Sequence, residues 1–159
     1  MNSIPLKPNK SRIEFDCEIK GQSFKVWVDT GAPNTLVHGD IAETLGLLPV
    51  KGLIYSGAIA GIKFEKKPAI VIPEIAIADF HPLREVRAIT GFSDPKWKNI
   101  ILIGLNVLNH MTYKVERSPM PGTFEWLETL TPDIPESGRT KYNHLLINGE
   151  YLVTDVDGK

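Results

Sequence analysis

Apolar and polar residues alternate strictly near the start of the chain. Ile13, Phe15, Cys17 and Ile19 fall on one face of an extended segment, and Glu14, Asp16, Glu18 and Lys20 on the other. A period of two predicts a half-buried strand. Gly21-Gln22 marks a turn, after which Phe24, Val26 and Val28 resume the alternation. The pair reads as a β-hairpin whose second strand runs straight into Asp29. Asp40 to Glu43 has the acidic cap and the following glutamate that begin a helix, and Gly46 ends it. From Lys51 to Phe80 the pattern is β-like. "GLIYSGAIAGIKFE" predicts two strands around a glycine-containing tip, and "AIVI" and "EIAIADF" predict two more. Pro68 and Pro73 are expected to break this run into short or edge strands.

"VRAIT" and "NIILIG" are further strands, the second almost wholly apolar and so expected to be buried on both faces. Asn106 to His110 has room for one or two helical turns. "TYKVER" and "TFEWL", separated by "SPMPG", predict another hairpin. Composition then shifts at "TPDIPESGRT", whose prolines, glycine and turn formers read as a linker. Beyond it, "HLLINGEYLV" places Asn148-Gly149 between apolar runs, a hairpin signal. The picture is a mostly β chain with two short helices and a small C-terminal appendage.

With 159 residues the chain suits one domain with a hydrophobic core. A formal net charge of -1 supplies no long-range field for nucleic acid or an anionic membrane, and no apolar run approaches the roughly 20 residues that span a bilayer. The single cysteine, Cys17, permits no intramolecular disulfide and sits in an alternating pattern that predicts a buried structural thiol. The N-terminal "MNSIPLKPNK" lacks a signal peptide's layout. A reducing cytoplasm is the expected compartment.

Asp29-Thr30-Gly31 carries the candidate chemistry. A carboxylate ending a buried strand is expensive unless it is hydrogen-bonded, paired or used. The glycine lets the chain turn sharply and exposes backbone N–H groups to the carboxylate. The threonine hydroxyl can lock the loop. Two such loops face to face would bring two carboxyls together, sharing one proton, so that one acts as base and the other as acid. The tripeptide alone also fits an ordinary Asx-type turn. Its context does not: it follows an apolar strand, precedes "NTLV" and a capped helix, and is followed much later by "IILIGLNVL".

In these ordered features the sequence resembles the retropepsin-like aspartic proteases, in their single-lobe, homodimeric form. The hairpin entering "VDTGA", the "IAETLGL" helix, a flap candidate at "SGAIAGI" and "ILIGLNVL" carry the resemblance over about Ile13 to Trp126. It implies a retropepsin-like acid-protease β-barrel with short helices and an active site at a homodimer interface. Residues 1–12 would be an N-terminal arm, 13–129 the protease domain, and 130–159 a linker plus C-terminal hairpin. By the same resemblance Asp29 would be catalytic and Thr30 would make crossed hydrogen bonds between two active-site loops. Gly31 would allow close approach, Ala32 matches the family's form of the motif, and Gly104 would pack against the active-site loop. Ala58, Ile59 and Gly61 would lie near the tip of a flap that closes over substrate. Pro33 and Asn34 depart from the family, which more often has a small hydroxyl residue after the alanine.

None of the other aspartates, at positions 16, 40, 79, 94, 133, 155 and 157, is followed by Thr-Gly or Ser-Gly. One chain therefore supplies one half-site, and a second copy must bring the other carboxyl. The implied activity is endopeptidase hydrolysis of a peptide or protein substrate held as an added strand, with Ile59 and Val28 as apolar subsite candidates. No metal or cofactor is expected: the four histidines are scattered, "TDVDGK" lacks the remaining ligands of a calcium loop, and "GAIAGI" lacks the spacing of a phosphate-binding loop. The reading of a different class is a catalytically silent module that keeps the fold for dimerisation or peptide binding. Under either, the tail hairpin needs a surface for its apolar face: the domain, the dimer interface or, as a propeptide-like plug, the cleft.

Overall fold

The computed structural model describes residues 3–6, 13–47, 49–59, 62–123, 126–134, 144–147 and 150–153. In chain order the elements are β1 (Ile4–Pro5), β2 (Ile13–Ile19), β3 (Gln22–Val28), β4 (Thr35–His38), α1 (Gly39–Leu45), β5 (Pro49–Ile59), β6 (Ile62–Ile75), β7 (Leu83–Phe92), β8 (Ile100–Ile103), α2 (Leu105–Leu108), β9 (Thr112–Pro119), β10 (Trp126–Asp133), β11 (His144–Ile147) and β12 (Glu150–Val153). Seven strands form one sheet in the order β2-β3-β8-β4-β7-β6-β5, and β1-β10-β9 form a second.

The first hairpin follows the alternation. Ile13 pairs with Val28 and Ile19 with Gln22, and the turn is made by Lys20 and Gly21 at φ 51° and 77°. Two positive φ values give the turn type whose twist matches the flanking strands. The face carrying Phe15, Cys17, Ile19, Phe24 and Val26 is buried in the core. Burial pushes the Cys17 thiol up to about 12, as befits a packing residue rather than a nucleophile. At the far end, Glu18 and Ala76 exchange two backbone hydrogen bonds of 2.9 Å, which curls the sheet toward a barrel.

Strand β8 is the centre of the fold. It runs parallel to β3 on one side and antiparallel to β4 on the other, and all four of its residues are buried. A strand enclosed on both faces has no polar position, and "IILI" has none. Helix α1 packs on β4 and β7 through Ile41 and Leu45, and Gly46 closes it at φ 60°. Its N-cap is His38, whose Nδ1 accepts the Asp40 N–H at 3.1 Å. The sequence pointed to Asp40, which instead sits in the first turn, where its charge suits the helix dipole.

The prolines do not divide the region after α1 as expected. One long strand, β6, runs through both Pro68 and Pro73. Pro68 lies opposite Ile54, and the β6–β7 ladder steps from Ile72↔Val86 to Glu74↔Arg84, passing over Pro73. Glu85, beside that gap, has φ 52°. A proline costs nothing where the ladder asks for no N–H. The segment "EIAIADF" is correspondingly not a strand of its own: Ile75 ends β6, and Ala76 makes only the bridge to Glu18.

The hairpin of β9 and β10 forms as the sequence indicated, with β10 continuing to Asp133 and accepting β1 on its outer edge, Ile4 against Leu130. In the tail, β11 and β12 pair antiparallel with Ile147 opposite Glu150; Asn148 and Gly149 lie outside the described residues. Strand β11 lies against α2 and β7. No helix among the described residues is long and apolar enough to cross a membrane.

Candidate active site

Asp29 leaves β3 at the point where that strand parts from β8. Its N–H donates to the Ile103 carbonyl at 3.0 Å, the last rung between the two strands. Its Oδ1 accepts the Gly31 N–H at 2.8 Å, and its carbonyl accepts the Ala32 N–H at 3.3 Å. The carboxylate is thus aimed by the backbone of its own loop, and a side chain at Gly31 would come within 3.2 Å of Oδ1. Asp29 is half-buried, and Thr30 and Gly31 are exposed. Among the described residues the Thr30 hydroxyl has no hydrogen-bond partner.

The loop rests on the start of α2. Leu105 N–H donates to the Ala32 carbonyl at 2.8 Å and Asn106 N–H to the Pro33 carbonyl at 2.9 Å. Gly104 makes this approach possible: a Cβ there would stand 2.5 Å from the Asn34 carbonyl oxygen and 2.7 Å from that of Ala32. Its φ of -103° is open to any residue, so the requirement is space alone. The structure therefore brings Asp29, Thr30, Gly31, Ala32 and Gly104 into one site. Ala58 and Ile59 end β5, with Ile59 paired to Ile62, so the β5–β6 hairpin turns beside them. Gly61 lies outside the described residues.

Two residues beneath the loop have no motif to announce them. Asn106 is fully buried; its Oδ1 accepts both the Thr35 N–H at 2.8 Å and the Thr35 hydroxyl at 2.9 Å, and its Nδ2 donates to the Arg87 carbonyl at 2.9 Å. The Thr35 hydroxyl in turn accepts the Gly104 N–H at 3.3 Å. One amide thus ties α2, β4 and β7 together directly under the Asp29 loop. The available signal was a lone polar residue inside the apolar run "LIGLNVL". Asn106→Ala is expected to lower stability by about 2–4 kcal/mol, because three hydrogen bonds go and the buried Thr35 N–H keeps no partner in Asn106; the midpoint of urea unfolding checks it.

Val28, expected as a subsite residue, is half-buried and packs against the core. The preceding Trp27 faces the other side of the sheet, paired with Leu102 in register and donating from Nε1 to Glu14 Oε1 at 2.8 Å. Alternation alone separates the two, since strand neighbours point to opposite faces.

A strand-borne Asp-Thr-Gly loop, braced by a glycine and a short helix after a buried strand, is the layout of a single-lobe, retropepsin-like fold. Residues 15–110 match the family described as "gag-polyprotein putative aspartyl protease", and the chain belongs to that family. Among solved structures it is similar to a retropepsin-like aspartic protease from Rickettsia conorii, with 16% identity, 82% of this chain and 90% of that chain covered, and a TM-score of 0.53. It is also similar to the retroviral protease-like domain of Ddi1 from Leishmania major, with 18% identity, 80% and 98% covered, and a TM-score of 0.45. No curated protein sequence matches the chain. The retropepsin-like fold expected from the sequence is the fold observed.

Proposed function

We propose that the protein is an aspartic endopeptidase whose catalytic dyad is formed by Asp29 of two identical subunits. The observation that carries this reading is the half-buried Asp29 carboxylate, its Oδ1 held by the Gly31 N–H and followed in the chain by an exposed Thr30 whose hydroxyl has no hydrogen-bond partner among the described residues. A loop built this tightly around an incomplete site is suited to meeting its own copy. In the paired site one Asp29 takes a proton from a bound water, which attacks the scissile carbonyl. The partner's Asp29 protonates the carbonyl oxygen, and a proton then passes to the leaving nitrogen. No covalent intermediate forms and no metal is required. The β5–β6 hairpin closes over an extended substrate and bonds its backbone, with Ala58, Ile59 and Gly61 around the tip. A chain with a single, buried cysteine suits the reducing cytoplasm as the place where this happens.

The test is cleavage of a peptide library, read by mass spectrometry across about pH 4 to 7, the range in which a carboxyl dyad can be tuned. Specific activity is expected to fall as the protein is diluted, because a half-site has no second carboxyl. The competing reading, a silent dimerisation or peptide-binding module, draws on Pro33-Asn34, where the family more often has a hydroxyl. A folded dimer that binds library peptides and cuts none would decide for it.

A further inference from the structure

Helix α2 is a single turn of four residues. A helix so short has no stability of its own, so its position is set by what packs against it. Yet two of its N–H groups hold the Ala32 and Pro33 carbonyls, and with them the Asp29 loop, at 2.8 and 2.9 Å. Val107 and Leu108 anchor α2 in the core, and Asn106 ties it to β7 through the Arg87 carbonyl at 2.9 Å. The tail supplies a further neighbour. Strand β11 lies against both α2 and β7, the two elements that the Asn106 amide joins.

We propose that the β11–β12 hairpin is a detachable brace for the Asp29 loop, acting through α2 and β7. A two-stranded hairpin is marginally stable at best by itself. In this one Leu145 lies opposite Leu152, Leu146 opposite Tyr151 and Ile147 opposite Glu150. The pair is largely apolar and gains stability by lying on the domain. Such coupling is reciprocal: a surface that holds the hairpin folded is itself held by the hairpin to the same extent. That surface includes the turn carrying Leu105 and Asn106. The docked tail therefore opposes local opening of α2, and with it the release of the Ala32 and Pro33 carbonyls.

The order of the chain makes the brace detachable. Ile134, the residue after β10, belongs to the core, and β11 begins at His144. The covalent connection between them is the polar stretch from Pro135 to Asn143. A short connection keeps the hairpin at an effective concentration of about a millimolar beside its surface. A single cut there removes that advantage, and the freed peptide must also fold in order to dock. The brace concerns the support of the Asp29 loop and is read at that loop, so it stands or falls apart from whether Asp29 cuts peptides.

The test uses the full chain with the recognition sequence of a site-specific protease placed between Pro135 and Asn143. The chain folds intact, is then cut, and is freed of its tail by gel filtration. Amide hydrogen exchange read by NMR is expected to speed about tenfold at Leu105 and Asn106. The same is expected at Thr35, whose N–H the Asn106 Oδ1 accepts, while the amides pairing β2 with β3 keep their rates. A synthetic peptide of residues 140–159 is expected to restore protection at about a millimolar and to fail at about a hundredth of that. In the uncut chain, Leu145→Asp combined with Leu146→Asp is expected to give the same selective loss. Successive strand positions alternate faces, so the pair covers whichever face meets the domain. Unchanged exchange at Leu105 and Asn106 in both the cut chain and the double variant would overturn the brace. A uniform rise that includes the first hairpin would overturn it too, because the tail would then stabilise the whole chain rather than this loop. A selective rise in a protein that cuts no peptide would leave the brace standing and count against the protease.

Discussion

Asp29→Asn is expected to abolish the proposed peptide cleavage while leaving the fold and the proposed dimer intact. The amide oxygen of asparagine can still accept the Gly31 N–H that Oδ1 now accepts at 2.8 Å, so the loop keeps its shape. What it loses is the capacity to take and return a proton. General acid–base catalysis contributes about two to four orders of magnitude. Because one substitution alters both halves of the proposed symmetric site, the loss in kcat is expected at the upper end of that range. The measurement is turnover of a cleaved library peptide, with thermal unfolding and sedimentation run on the same samples. Mixed dimers carrying one Asp and one Asn are expected to be silent too, since neither carboxyl alone supplies both acid and base. Turnover close to wild type in a pure Asp29→Asn sample would remove the carboxyl from the mechanism.

Gly104→Ala is expected to have the largest effect on stability, a loss of at least about 3 kcal/mol. Overpacking usually costs about 1–3 kcal/mol because side chains and backbone can shift a little. Here the obstructing atoms are the backbone of Asn34 and the carbonyl of Ala32, at 2.5–2.7 Å, and neither can retreat freely. Ala32 and Pro33 are held by Leu105 and Asn106 through bonds of 2.8 and 2.9 Å, and Asn34 is 1% exposed. Making room therefore means breaking the bonds that set the Asp29 loop, so the proposed activity is expected to fall with stability. Gly46→Ala is the matched control. Its Cβ would meet nothing within 4 Å, and its only strain is a φ of 60°, for a cost of about 1 kcal/mol. Urea unfolding of the two variants separates crowding from conformational strain; equal small losses would show that the loop yields more easily than its bonding indicates.

Much of this was legible because the relevant residues report their surroundings locally. The alternation from Ile13 to Val28, the unbroken "IILI" and the C-capping Gly46 each state a burial pattern or a backbone need within a few positions. The Asp-Thr-Gly loop declared itself by its company. What stayed hidden was set by distant partners. Strand β1 is two residues long and exists only because Leu130 and Thr129 offer an edge. Pro73 reads as a strand breaker until the β6–β7 ladder is seen to pass over it. His38 took the cap because its Nδ1 reaches the Asp40 N–H. Asn106 makes its three bonds to Thr35 and Arg87, far off in sequence, and no local pattern encodes such an appointment.

The insertion of β8 between β3 and β4 has a kinetic consequence. The rung from Asp29 to Ile103, and that from Leu105 back to Ala32, join the ends of a very long loop, and parallel pairing at such separation belongs to the slow, high-contact-order class of folding events. A chain emerging from the ribosome can complete its first hairpin early. It cannot brace Asp29 until Gly104 and Leu105 have cleared the exit tunnel and closed that loop. The Asp29 loop is thus timed by topology, with the carboxylate made first and braced last.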